Sequence, residues 1–190
     1  CLVGSEMCIR DSYVIDLQGK NGFLLFNSGT VKNNSGAGGT KGASLVRIGN
    51  DSNKKAHPTM TIAGGTFTQD NFIAIKVDFG TLHVKAGVIN SKNSYAIENW
   101  LNANIKENAV VNGNVSTWTY DGGSNSNLNI SGGTVNGDVE SVTYNSAEGK
   151  TAKAAITGGT VKGELHALSY NSSTGTSTES SDPTKATIEV

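Results

Sequence analysis

Cysteine is almost absent. The 190 residues hold two, Cys1 and Cys8, both inside the opening segment "CLVGSEMCIRDS". From residue 13 onward, disulfides and cysteine-ligated metals are excluded. Charge of one sign is missing too: the formal net charge is −1. No broad basic field exists for nucleic acid or an anionic membrane surface. No apolar run approaches the roughly 18 residues that a membrane-spanning helix needs. Helical periodicity is absent as well, because no ten-residue window carries an apolar stripe at i, i+3 and i+4. The histidines His57, His83 and His166 fall in unrelated registers, so no metal-ligand spacing and no cofactor site is expected. Asp78-Phe79-Gly80 stands without a glycine-rich loop or a catalytic-loop motif, which excludes a kinase reading. Proline is down to 2 residues and aromatics to 6%.

Glycine fills the space, at 24 residues, with abundant Asn, Ser and Thr. Val, Ile, Leu and Phe recur among them at fixed places, which argues against a disordered polar chain. The segment "ISGGTVNGDVESVTY" at 130–144 returns as "ITGGTVKGELHALSY" at 156–170. Earlier copies are "LLFNSGTV" at 24–31, "MTIAGGTF" at 60–67, "LHVKAGVI" at 82–89 and "ANIKENAVVNGNV" at 103–115. Anchoring on the apolar residue before the bend gives Phe26, Ile62, Val84, Ile105, Ile130, Ile156 and Ile188. They recur at intervals of about two to three dozen residues, as in solenoids.

Within a unit, "Leu128-Asn129-Ile130" alternates like a strand, with Ile130 toward one face. Gly132-Gly133 follows and permits a tight bend. A second short strand runs from Val135 to Val139 and a third ends at Tyr144, before a polar loop. Three short strands per unit predict one coil of a parallel β-helix. Coils stack at about 4.8 Å and bury their inward residues on one another. The fold class is therefore all-β: a parallel β-helix of about six to seven coils over residues 13–190, cut at both ends.

The phrases "TIAGGTF", "NISGGTVNGDV" and "AITGGTVKGEL", with "NSYAIENW" at 93–100 as the strand before a new coil, resemble the "GGT" repeat regions of large secreted or cell-surface proteins of gut bacteria. That resemblance implies a pectate-lyase-like right-handed β-helix in an extracellular or cell-surface setting. The scaffold also serves adhesins, phage tail proteins and polysaccharide lyases, so the fold names no activity. Residues 1–12 resemble the translated read-through of a transposon-end sequencing adapter, as found on reading frames in metagenome assemblies. They are set apart as non-native.

Aligning units on Gly113, Gly137 and Gly163 defines columns of candidate residues. Tyr120, Tyr144 and Tyr170 share one column and Trp118 stands two places before it; these are candidate glycan contacts, or a structural aromatic ladder. Asp138 and Glu164 share another. A stacked acidic pair suits a glycosidase or a Ca²⁺ site, but two outward, solvated acids explain it better, and no catalytic set is assigned. Glu140 and His166 form a third pair. Loops of growing length leave one corner after residues 120, 144 and 170, the longest being "NSSTGTSTESSDPTK".

The expected function is a non-enzymatic stalk or adhesin-like module contacting carbohydrate or a cell surface. The alternative is a polysaccharide lyase, hydrolase or phage tail depolymerase on the same scaffold. Because "KATIEV" stops where a bend is due, an open C-terminal edge and edge-mediated self-association are expected.

Overall fold

The structure is a computed structural model that describes residues 13–33, 44–50, 55–119, 124–144, 149–182 and 184–190. Residues 1–12 and Tyr120 lie outside the described residues. The described residues contain no helix and sixteen strands, numbered β1 to β16 in chain order.

Strands rich in β-branched residues, turned at most corners by glycine or asparagine, wind into two sheets. Sheet A runs Ile15–Leu17 (β1), Val46–Ile48 (β4), Ile75–Val77 (β6), Ile97–Asn99 (β8), Val115–Thr119 (β10), Val139–Tyr144 (β12) and Leu165–Asn171 (β14). Sheet B runs Phe23–Phe26 (β2) and Thr30–Asn33 (β3), then Thr59–Gln69 (β5), Thr81–Asn90 (β7), Asn102–Asn112 (β9), Ser126–Val135 (β11), Ala152–Val161 (β13) and Ala186–Glu189 (β16). All these neighbours pair in parallel. The chain is thus a parallel β-solenoid of about five turns, rather than six to seven. Five rungs, β4–β5 through β12–β13, have neighbours above and below in both sheets, whereas the rungs beyond them are covered on one side only.

Each complete coil carries two strands, not three: one of 3–6 residues in sheet A and one of 10–11 residues in sheet B. The Gly-Gly bend lies inside β5, β11 and β13 and shifts the register as a bulge without ending the ladder. Only the second glycine of each pair takes positive φ: Gly65 at 85°, Gly133 at 76° and Gly159 at 87°. The first is glycine for a different reason. A Cβ on Gly132 would sit 2.5 Å from Glu107 N, and one on Gly64 2.4 Å from Asn27 O, both backbone atoms of the adjacent rung. The worn copy in β9 holds Glu107 at φ 50°, in the region that L side chains avoid. Glu107→Gly is expected to raise stability by about 0.5–1 kcal/mol, read from chemical denaturation, because it removes that strain.

The inward column holds in register for Phe26, Ile62, Val84, Ile105, Ile130 and Ile156. Ile188 departs from it. It pairs with Ala154, in the neighbouring column of Leu24, Met60, Leu82, Ala103 and Leu128. A two-residue slip keeps a strand's side chains on the same face, so Ile188 still points inward. The matching column of sheet A changes character along the axis: Leu17, Ile48 and Val77 give way to Asn99, Thr117 and Ser141. These buried polar groups are satisfied. Asn99 Nδ2 donates to Thr117 Oγ1 and to Asn127 O, both at 2.9 Å, and Ser141 Oγ donates to Ala152 O at 2.8 Å.

The Ser/Thr-rich segment after Tyr170 is not a plain loop. It turns back as Thr176–Glu179 (β15), antiparallel to β14, so the edge of sheet A carries a further strand where an open one is expected. In sheet B, β16 pairs only with β13 among the described residues.

Candidate functional site

The outer face of sheet A collects the unusual chemistry. Strand register stacks Asp16, Arg47 and Lys76, then Glu98, Ser116, Glu140 and His166, in one outward column. At its cationic end, Asp78 holds both bases. Arg47 Nε lies 2.8 Å from Asp78 Oδ2, and Lys76 Nζ lies 3.3 Å from Oδ1. Asp78 is 4% exposed, so this is a partly desolvated network rather than a surface pair. Aromatic faces hold the same cations: Arg47 sits 5.1 Å over Tyr13, and Lys76 4.0 Å from the Trp100 ring centre.

The centre of the column is acidic. Lys76 reaches Glu98 only at 4.0 Å. Burial raises the Glu98 carboxyl above the usual range, against the pull of Lys76. Glu140 is raised by burial too, although its hydrogen bond to Tyr95 opposes the shift. Tyr95 Oη donates to Glu140 Oε2 at 2.7 Å. Burial, with Glu140 adding to it, pushes the phenol above its ordinary range. Tyr95 precedes β8 and Glu140 lies in β12, so the ring crosses the intervening strand β10 at Ser116. That residue is fully buried, and its hydroxyl makes no hydrogen bond among the described residues.

Beside Tyr95 the solenoid has a step. Between the paired residues Asn90 and Asn112 and the paired Ile97 and Val115, one rung spends residues 91–96 on the corner, the next only Gly113 and Asn114. The wide turn above the tight one leaves an open recess of about 430 Å³, lined by Ser91, Lys92, Asn93, Ser94, Tyr95, Gly113 and Asn114.

The structure brings three of the four candidate aromatics together. Tyr144 and Tyr170 are register partners with ring centres 5.3 Å apart, and Trp118 meets Tyr170 edge-on at 5.5 Å. Trp118 Nε1 is buried and makes no hydrogen bond among the described residues.

Asp138 and Glu164 stand at successive rungs of a corner ladder. Asp138 Oδ1 accepts from the Glu164 backbone N–H at 2.9 Å and Oδ2 from Asn114 Nδ2 at 3.2 Å, while Asn114 Oδ1 accepts from the Asp138 N–H at 3.0 Å. The Asp138 oxygens are thus spent on holding turns together. Glu140 and His166 are register partners, yet the closest polar partners differ. His166 Nε2 lies 3.3 Å from Glu164 Oε2, and Nδ1 lies 3.2 Å from Glu179 Oε1 on β15. The hydrogen bond to Glu179 raises the imidazole pKa most, and a charged His166 fastens the β15 hairpin to β14.

Tyr95, Glu98 and the Asp78 network are residues of this face that sequence reasoning passes over. Counting outward from Ile97 by alternation places Glu98 on the face. Nothing in the linear pattern brings Tyr95 to Glu140.

The class that fold and face define is a parallel β-solenoid with a mixed charged and aromatic outer face. No protein-family model matches the chain, and neither does any curated protein or solved structure.

Proposed function

We propose that the chain is a non-enzymatic structural module of a bacterial surface or secreted protein, adhesin-like in role, that presents a glycan-contacting face on a stiff rod. The observation that carries this reading is the packed cluster of Trp118, Tyr144 and Tyr170 on one outer face. Aromatic rings at a protein surface supply large, rigid contact area with a polar rim, which suits sugar rings. The "GGT" phrases and their resemblance to repeat regions of secreted proteins support the extracellular setting. Pairing between chains, as part of this proposal, runs through β16, the outermost strand of sheet B.

A hydrolase, a polysaccharide lyase or a phage tail depolymerase is the second reading. Glu98 and Glu140 favour it, as two partly buried carboxyls with raised pKa on one sheet face that also carries Trp100 and Trp118. One experiment separates the two. The chain is incubated with a panel of immobilised plant, bacterial and host polysaccharides, and both retention and released reducing or unsaturated ends are measured. Retention without cleavage, weakened in Tyr170→Ala, is the expected result. Product release that disappears in Glu98→Gln would establish the second reading instead.

A further inference from the structure

The column of long side chains on the outer face of sheet A has one gap. Glu98 and Glu140 lie two strand spacings apart, about 9–10 Å along the axis, and the residue between them is only a serine. Tyr95 fills the gap from outside. We propose that this gap, bounded by Glu98, Ser116, Trp118 and Glu140, is a subsite for one ring of a neutral glycan, and that Tyr95 occupies it until the sugar displaces it. The inference rests on the glycan reading above and names its site and its ligand chemistry.

Three observations converge. First, Ser116 is fully buried with an unused hydroxyl, and Trp118 Nε1 beside it is equally unused. Buried polar groups without partners are uncommon and carry a cost, which a hydroxyl-rich ligand removes. Second, the phenol of Tyr95 resembles a pyranose in width and donates its hydroxyl to Glu140 at 2.7 Å. A sugar hydroxyl donates to a carboxylate in the same way. Third, Tyr95 has somewhere to go, since it forms part of the wall of the open recess of about 430 Å³.

Charge decides the ligand class. Glu98 and Glu140 sit in the subsite, and Asp138 and Glu164 line the adjoining corner. Three of the nearby bases are engaged: Asp78 holds Arg47 and Lys76, and His166 lies between Glu164 and Glu179. A uronate ring would bring a carboxylate against these four acids, while exposed Lys92 lines the recess rather than the gap, so the repulsion costs several-fold or more in affinity. The site thus selects neutral hexoses and N-acetylhexosamines against polyuronates.

Tyr95 taxes binding by the fraction of time it fills the subsite. Tryptophan fluorescence titrations with cellohexaose, maltohexaose, N-acetylchitohexaose and hexagalacturonate test this on the full chain. At least one neutral probe should bind more tightly than hexagalacturonate. Tyr95→Ala should bind that probe about three- to tenfold more tightly, and Glu140→Gln about tenfold more weakly. Tyr95→Phe, which keeps the ring and drops the hydrogen bond, serves if the alanine variant is unfolded by circular dichroism; it should also tighten binding. Preference for hexagalacturonate, or unchanged or weaker affinity in both folded Tyr95 variants, overturns the subsite while leaving glycan contact elsewhere on the face intact. Silence of every probe, with wild type and both Tyr95 variants, overturns the glycan reading and the subsite together.

Discussion

Ile130→Asp should unfold the middle of the solenoid. Ile130 is fully buried, and its register partners Ile105 and Ile156 lie directly above and below it. Loss of its apolar burial alone costs about 1.5–3 kcal/mol. A carboxylate in the same place meets no cation on the inward face among the described residues and must stay neutral or break the rung, so the total reaches about 5 kcal/mol or more. In a repeat fold, contacts are made only with neighbours, so the damage centres on β9, β11 and β13. Hydrogen exchange should show lost protection there while β5 and β7 retain theirs. Uniform protection with an unchanged denaturation midpoint would mean that Ile130 does not face the core.

Gly137→Ala should be more damaging than Gly149→Ala, although conformational preference argues the reverse. Gly149 sits at φ 67° with nothing within 4 Å of an added Cβ. Its substitution carries only the left-handed penalty of about 1 kcal/mol. Gly137 has no positive φ, so a side chain is conformationally allowed. But its Cβ would lie 2.5 Å from both the carbonyl carbon and oxygen of Gly113, and 2.8 Å from Asn114 N. Those are backbone atoms of the rung beneath, and they cannot turn aside as a rotamer would. Forcing the rungs apart costs about 2–3 kcal/mol by comparison with other overpacked cores. Paired urea denaturations of the two variants decide the matter; equal midpoints would contradict the close stacking of this corner.

Much of the solenoid can be read from the chain because its repeat is written in side chains that only stacking explains. The column from Phe26 to Ile156 follows from counting apolar residues before each bend. Gly113, Gly137 and Gly163 align correctly, and with them the partnerships of Glu140 with His166 and Tyr144 with Tyr170. Ile188 fails because alternation is blind to slips of two: "Ala186-Thr187-Ile188" can sit against Ala152 or Ala154 with the same face inward. The two-sheet cross-section was also hidden. A Gly-Gly bend reads as a break, whereas here the ladder continues through it as a bulge. The β15 hairpin is missed because its Thr-Ser-Thr-Glu sequence has no apolar face, its role being to pair backbone with β14. The central part of the site was illegible for a geometric reason. Tyr95 lies in the 91–96 corner, outside the glycine-aligned columns, and touches Glu140 by skipping a rung.

The stacked glycines of the Gly113–Gly137–Gly163 corner have a consequence for how such a chain can change. Backbone contact at that corner, together with the parallel ladders, fixes the rise from one rung to the next. Outward side chains take no part in setting it. The molecule therefore separates a metric from an alphabet. Replacing Glu98, Trp118 or Tyr144 rewrites what the face says at a given mark, but the marks themselves stay where the glycines put them.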